Sequence, residues 1–237
     1  MVKCKPERKD KALKKGILIA IDGLDGSGKE TQSNALCAFL QNKGIKHRCV
    51  SFPNYNTKGC SLVEMYLKGE FGEDPMAVNA YAASSFFAMD RYSSYMLDWK
   101  KDYEEGTVII ANRYTSANLV HQMAKLPEDE RQGFMEWLVA YEYGLLGLPK
   151  PDGVIYLCLP PQISESLVQK RCDSTGVTKD IHEKNSGFLA ASYKAALYAS
   201  EKCGWHRVDC VKEGSLRSIE DIGGEVADLA MDIINKA

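Results

Sequence analysis

Three glycines and a lysine, spaced Gly23-x4-Gly28-Lys29 with Gly26 between, are the residues of this chain best suited to hold a polyanion. Glycines let backbone N–H groups turn inward on a ligand, and a lysine opening a helix adds a full positive charge to the helix's partial one. With Ser27 included, the stretch matches the Walker A phosphate-binding pattern at seven of its eight positions. At the eighth, where a Ser or Thr hydroxyl helps hold Mg²⁺, stands Glu30, with Thr31 one place later. Two arrangements are open for Glu30. Its carboxylate replaces the hydroxyl as a metal ligand, or it turns away from the phosphates and pairs with a basic side chain. The second avoids setting a negative charge against a triphosphate and is preferred.

Phe87 and Arg91 lie one helical turn apart and share a face. A ring beside a guanidinium can stack on a nucleobase and hydrogen-bond its edge. The same spacing equally describes a core Phe next to a solvated Arg. Arg113 carries a planar fork that matches phosphate oxygens, or is an ordinary surface residue. Lys170, Arg171, Lys179 and Lys184 fall in a polar, glycine-containing segment, 170–184, that reads as a loop closing over phosphates or as a plain solvated loop.

The elements that must position these residues alternate between strand and helix. Ile17 to Ile21 is a short apolar run before the glycines, and Ala35, Leu36, Phe39 and Leu40 recur at helical spacing after Lys29. Further strands are expected over 45–52, 107–111, 153–159 and 205–210. Helices are expected over 61–68, from Asp74-Pro75 to about Tyr103, and over 128–145, 162–171, 185–202 and 218–235. Five strands alternating with helices predict an α/β fold of the P-loop NTPase type, with a five-stranded parallel sheet flanked by helices. Ligands in such sheets bind at the carboxyl ends of the strands, which directs attention to Phe52-Pro53-Asn54-Tyr55 and Asn112-Arg113-Tyr114.

Composition bounds the rest. Lys plus Arg number 30 against 32 Asp plus Glu, so a nucleic-acid partner has no electrostatic footprint. No apolar run reaches the length of a membrane span. The scattered cysteines, without a C-x-x-C pair, are expected to be reduced thiols of a cytoplasmic protein. Residues 1–15 are lysine-rich without an apolar core, a basic tail expected to be disordered, and 16–237 reads as one domain.

Asp22 to Gln32, Phe52-Pro-Asn-Tyr55, Phe87-Ala-Met-Asp-Arg91, Asn112-Arg-Tyr114 with Asn118, Gly147 to Asp152, and Asp180-Ile-His-Glu183 occur in this order. The set resembles thymidylate kinase over about residues 16 to 210. The resemblance implies one α/β domain with a short mobile lid, about 170–184, usually as a homodimer. It implies transfer of the γ-phosphoryl group of Mg-ATP to dTMP. Gly23, Gly26, Ser27, Gly28, Lys29, Glu30 and Thr31 then surround the ATP phosphates. Asp25 meets the acceptor's sugar 3′-hydroxyl and the metal region, and Glu183 is a second carboxylate near the metal. Phe52 and Pro53 resemble the wall of the thymine pocket, and Tyr55 reaches the acceptor phosphate. Phe87 stacks on thymine, Arg91 meets the base edge, Asn118 is a polar base contact, and Arg113 grips the acceptor phosphate. His121 stands where some members set a tyrosine against the 2′ position. Lys29, Asp25, Arg113 and Arg171 form the implied catalytic set.

The chain departs from the family pattern at Asn112, usually Asp, at Glu30, and at Gly26, which in part of the family is Arg. In members lacking that Arg the catalytic arginine comes from the lid, where Arg171 is the only arginine. Two other readings stand beside dTMP kinase: a kinase for another nucleoside or monophosphate, and a nucleotide-binding protein that no longer catalyses.

Overall fold

The computed structural model describes residues 15–176 and 178–237. The expected basic tail therefore lies outside the described residues, Lys15 excepted. The strands β1 (Leu18–Gly23), β2 (His47–Ser51), β3 (Val108–Asn112), β4 (Gly153–Cys158) and β5 (His206–Asp209) form one parallel sheet in the order β2-β3-β1-β4-β5. β1 is central and buried along its whole length, as its unbroken apolar run requires. Because side chains alternate across a strand, Ile19 and Ile21 face one layer while Leu18 and Ala20 face the other. The order reverses direction at β1, so the crevice at its carboxyl end is the topological switch point.

Helix α1 (Lys29–Asn42) leaves β1 through the glycine loop and buries Leu36 and Leu40 against the sheet. It shares that layer with the last helix, α9 (Ile219–Lys236), whose Ile222, Val226, Ala230 and Ile233 recur at helical spacing. Ser218 caps α9 by accepting from Asp221 N at 3.0 Å. The opposite layer holds Trp99, Tyr103 and Tyr114 around Leu18, Ala20 and Ile109.

One expected helix begins later than its signal. Asp74 does cap, accepting from Met76 N at 2.9 Å, but only a single 3₁₀ turn, Pro75–Ala77, follows. Val78 is extended, and Asn79 restarts the chain by accepting from Ala82 N. Helix α3 (Ala80–Ser94) then continues through a π-helical turn, Tyr95–Trp99, into α4 (Lys100–Glu104). Helix α2 (Ser61–Leu67) precedes it. The short helix α5 (Thr115–His121), directly after β3, has no expectation in the sequence. Helix α6 (Arg131–Val139) runs on as a π-helical segment, Ala140–Leu145. Helix α7 (Pro161–Thr175) reaches four residues beyond its expected end, so 170–175 is helix rather than loop. Asn185 caps α8 (Ser186–Cys203), and a two-residue hairpin, β6 (Val211–Lys212) with β7 (Ser215–Leu216), links β5 to α9.

The cysteine expectation needs correction. Cys37 on α1 and Cys49 on β2 are joined as a disulfide, with Cα atoms 6.8 Å apart. Adjacent packing of α1 and β2 makes this pair, which no sequence spacing signals. Cys60, Cys158, Cys172, Cys203 and Cys210 are free, as expected.

Candidate active site

The loop after β1 is shaped by contacts that leave no room for side chains. A Cβ on Gly23 would lie 2.5 Å from Ser27 Oγ and 2.7 Å from the Leu157 carbonyl. Gly26 has φ +75°, and a Cβ there would press on Ser164 and Leu167 of α7 at 3.1–3.2 Å. Packing against α7 thus accounts for glycine where part of the family has arginine. Lys29 is buried, and its Nζ donates to the Gly23 and Leu24 carbonyls at 3.0 and 2.8 Å. Asp25 Oδ1 lies 3.7 Å from the same ammonium. Burial and the nearby Arg113 charge lower the Lys29 pKa to about 8. Ser27 Oγ is buried without a hydrogen-bond partner, a polar atom suited to a ligand in the loop.

Arg113 sits at the end of β3 with φ 63° and reaches across the crevice. Its Nη2 donates to Asp25 Oδ1, and its Nη1 lies 3.2 Å from His121 Nε2. Burial raises the pKa of the Asp25 carboxyl, but Arg113 and Lys29 outweigh it and hold the group well below the usual carboxylate range. Asp22 stands behind them, fully buried, accepting from Gly23 N and from Ser116 Oγ at 2.8 Å. Its pKa is raised by burial despite those partners.

Next to this loop opens a cavity lined by Asp25, Phe52, Pro53, Phe87, Arg91, Arg113, Asn118 and His121. Every acceptor-pocket residue expected from the sequence lines it, Tyr55 included, although that side chain is 52% exposed at the rim. Phe87 and Arg91 do share a face, but Arg91 is not solvated. Its Nε and Nη2 donate to Glu142 at 2.7 and 2.6 Å, a buried bidentate pair.

A family model for thymidylate kinase matches residues 21–219. The chain belongs to the thymidylate kinase family. Among its relatives, the thymidylate kinase of Mycobacterium tuberculosis is 28% identical over 174 residues, covering 72% of this chain and 79% of the relative. That of Danio rerio is 25% identical over 94% of both chains, and that of Plasmodium falciparum 27% identical over 87% and 93%. A solved thymidylate kinase from Candida albicans superposes with a TM-score of 0.67 at 21% identity, covering 94% of each chain, and shares the fold.

Family motifs in the sequence do not reveal Glu142, and they contain Asp180 and His182 without giving either a place in the pocket. Glu142, on the π-helical segment after α6, accepts from Arg91, from Thr115 Oγ1 at 3.1 Å and from Asn118 Nδ2 at 3.2 Å. It fixes two expected base contacts at once. Asp180 and His182 line the cavity from the expected lid. His182 stacks on His121 with ring centres 5.4 Å apart and shares a 2.8 Å hydrogen bond with the Tyr66 hydroxyl. Lys125 Nζ in turn donates to that hydroxyl at 2.9 Å. Burial and Arg113 lower the His121 pKa to about 3, so its ring is neutral and accepts from Arg113. Burial and Asp25 raise Asp180 to about 7. Ile181, between them, is buried against α2, and its N–H donates to the Leu67 carbonyl.

The remaining expected residues fall around the loop. Arg171 is 44% exposed at its side chain and donates to both oxygens of Glu183 at 2.7 and 2.9 Å. Asn112 donates to Ser51 Oγ. Thr31 and Glu30 are exposed in the first turn of α1. None of the ion pairs among the described residues includes Glu30, so the basic partner expected for it is not found. The exposed carboxylate leads to an expected result. Glu30→Gln should keep its Mg²⁺ requirement and most of its activity, with stability within about 0.5 kcal/mol of wild type. A large rise in the Mg²⁺ concentration needed for half-maximal rate would make the carboxylate a metal ligand.

Asp22, Asp25 and Glu183 all bear on the Lys29 charge, yet among the described residues they form no three-ligand cluster. Mg²⁺ does not need one. It is commonly held by one or two carboxylates together with substrate phosphates and water. Asp25, beside the unpartnered Ser27 Oγ, fits such a role. Glu183 is engaged by Arg171.

Proposed function

We infer that the chain transfers the γ-phosphoryl group of ATP to dTMP, giving ADP and dTDP, a step toward dTTP. The observation that carries this reading is a single crevice in which the Lys29 loop adjoins the Phe87–Arg91 cavity, with Arg113 between them. Glycine-loop amides and Lys29 hold the donor phosphates, with Ser27, Glu30 and Thr31 alongside. Phe87 stacks on thymine against the Phe52–Pro53 wall, and Arg91 and Asn118, both set by Glu142, meet the base edge. Asp25 meets the 3′-hydroxyl, His121 flanks the 2′ position, and Tyr55 and Arg113 hold the acceptor phosphate.

Phosphoryl transfer depends on in-line placement and charge neutralisation more than on covalent help. An oxygen of the dTMP phosphate attacks the γ-phosphorus, and the bond from that phosphorus to the β–γ bridging oxygen breaks. The acceptor is already an anion at neutral pH, so no base is required. Arg113 meets the acceptor phosphate by exchanging part of its contact with Asp25. We propose that Asp25 would help to hold Mg²⁺, with Glu183 the second carboxylate near it, and that the bound ion would supply charge neutralisation to the donor phosphates. Arg171 is proposed as the lid cation that meets the transferring group once released from Glu183.

Residues 16–237 are proposed to act as one kinase domain closed by the 170–184 segment. A homodimer is proposed from the family resemblance. No helix among the described residues is long and apolar enough to cross a membrane; a cytoplasmic location is proposed on the five free thiols, with the Cys37–Cys49 bond the exception to that pattern.

ADP release from Mg-ATP, measured with a panel of nucleosides and monophosphates, tests the reading. dTMP should be turned over with the highest kcat/KM. Turnover of an unphosphorylated nucleoside, or none with any acceptor, would replace it with another kinase or a non-catalytic binder. Phe87→Ala should lose a stacking contact of about 1–3 kcal/mol, read chiefly as a raised KM for dTMP. An unchanged KM for dTMP with weakened ATP binding would overturn the pocket assignment.

A further inference from the structure

Away from the crevice, α1 and β2 pack side by side and bring Cys37, His47 and Cys49 together at the surface. The two Sγ atoms and one ring nitrogen of His47 lie within 4.8 Å of one another. Cys37 and His47 are half-buried and Cys49 is exposed, so the cluster is accessible from solvent. His47 Nδ1 lies 2.9 Å from the Ile45 carbonyl. A carbonyl only accepts, so Nδ1 carries a proton and Nε2 is the nitrogen left to meet a cation. Imidazoles that bind metals are oriented by this kind of backbone contact at the other nitrogen.

Two thiolates and an imidazole suit a borderline-soft divalent cation. Tetrahedral Zn²⁺, with Zn–S of about 2.3 Å and Zn–N of about 2.0 Å, sets its ligand atoms about 3.5–3.8 Å apart. The cluster's spread accommodates that by small side-chain rotations. The neighbouring cations are compensated: Arg48 is paired with Asp98 and Asp102, and Lys46 lies 3.9 Å from Glu105.

We propose that, once the Cys37–Cys49 bond is reduced, Cys37, His47 and Cys49 form a three-ligand site for Zn²⁺ or a similarly thiophilic divalent cation. The fourth position opens to solvent. The same sulfurs then have two states, bonded to each other or both bound to the cation. In either state the middle of α1, which begins at Lys29, is tied to β2, which runs into Phe52 and Pro53.

The test uses the full chain reduced with a phosphine. The phosphine takes up the oxygen of water to become its oxide, and the disulfide becomes two thiols. Cation binding then releases the two thiol protons. Titration with Co²⁺ should give thiolate-to-cobalt charge-transfer absorption saturating at one ion per chain, displaced by Zn²⁺. Zn²⁺ should raise the thermal unfolding midpoint of the reduced protein. The oxidised protein and the Cys37→Ser/Cys49→Ser variant should show neither effect. His47→Ala should bind about tenfold more weakly or worse. The proposal fails if reduced wild type gives no charge-transfer absorption, or if the double variant gives the same absorption. It also fails if His47→Ala binds Co²⁺ as tightly as wild type, which would leave only a dithiol chelate. Oxygen ligands at the phosphate loop give no thiolate band, so cation bound there does not confuse the result.

Discussion

Lys29→Ala is expected to lower kcat by about 10²–10³-fold or more, the range seen when one preorganised charge-stabilising donor is removed. The structure locates the cause. The ammonium is buried, held by the Gly23 and Leu24 carbonyls, and 3.7 Å from Asp25. Those contacts aim it into the loop rather than at solvent. Alanine removes the charge but leaves the loop's shape, which Gly23 and Gly26 set through contacts with Leu157 and α7. The loss should therefore appear in turnover, with the fold retained.

The lowered pKa of Lys29, about 8, adds a pH signature. In the free enzyme the charge disappears as pH rises through about 8, so kcat/KM for ATP should fall there. Bound phosphates favour the charged form, so kcat should hold to higher pH. Stability moves the other way. Between about 8 and 10 the unfolded chain keeps a proton that the folded Lys29 has lost, so this residue's contribution to stability rises with pH in that window. Lys29→Ala should flatten that rise relative to wild type. Near-normal kcat in the variant, or matching pH–stability curves, would remove Lys29 from the role.

How much of this site is legible in the sequence depends on how local each signal is. Glycine loop, lysine and the helix after them are contiguous, so strand, turn and charge are read together. The five strands were legible because each is a short apolar run bounded by turn residues. Asp74 misled because a cap satisfies only its own turn; the extended Val78 and the second cap at Asn79 are decided by packing. Phe87 and Arg91 illustrate a different limit. Their spacing gives a shared face, but not what the face meets. The residue that decides it, Glu142, is 51 positions away on a π-helical segment. Nothing in the local sequence marks a lone Glu in a helix as buried. Asp180 and His182 stand in a family motif, but their place in the pocket is not legible, since a polar stretch reads as solvated until Ile181 is seen anchored on α2. The Cys37–Cys49 pair joins elements whose adjacency is a tertiary fact.

Glu142→Ala is expected to cost about 3–5 kcal/mol of stability, the range for removing one partner of a buried ion pair. Glu142 is completely buried and Arg91 nearly so. In the variant the guanidinium keeps only a 3.4 Å contact to the Tyr114 carbonyl among its protein partners. Thr115 Oγ1 and Asn118 Nδ2 lose an acceptor at the same time, though Asn118 retains the Ser84 carbonyl. Replacing both charges together, as in Arg91→Met/Glu142→Leu, should restore much of that stability, because no unpaired charge is left behind. It should not restore the reaction, since the proposed base-edge contact is gone and Asn118 is no longer fixed. Denaturant unfolding of Arg91→Met, Glu142→Leu and the double variant measures the coupling, and steady-state kinetics reads KM for dTMP alongside it. If Glu142→Ala unfolds within about 1 kcal/mol of wild type, water replaces the carboxylate and the pair is not a structural requirement. If the double variant keeps a wild-type KM for dTMP, Arg91 and Asn118 do not meet the base. A stable double variant with a sharply raised KM for dTMP would show that this ion pair is kept for the acceptor pocket rather than for the fold.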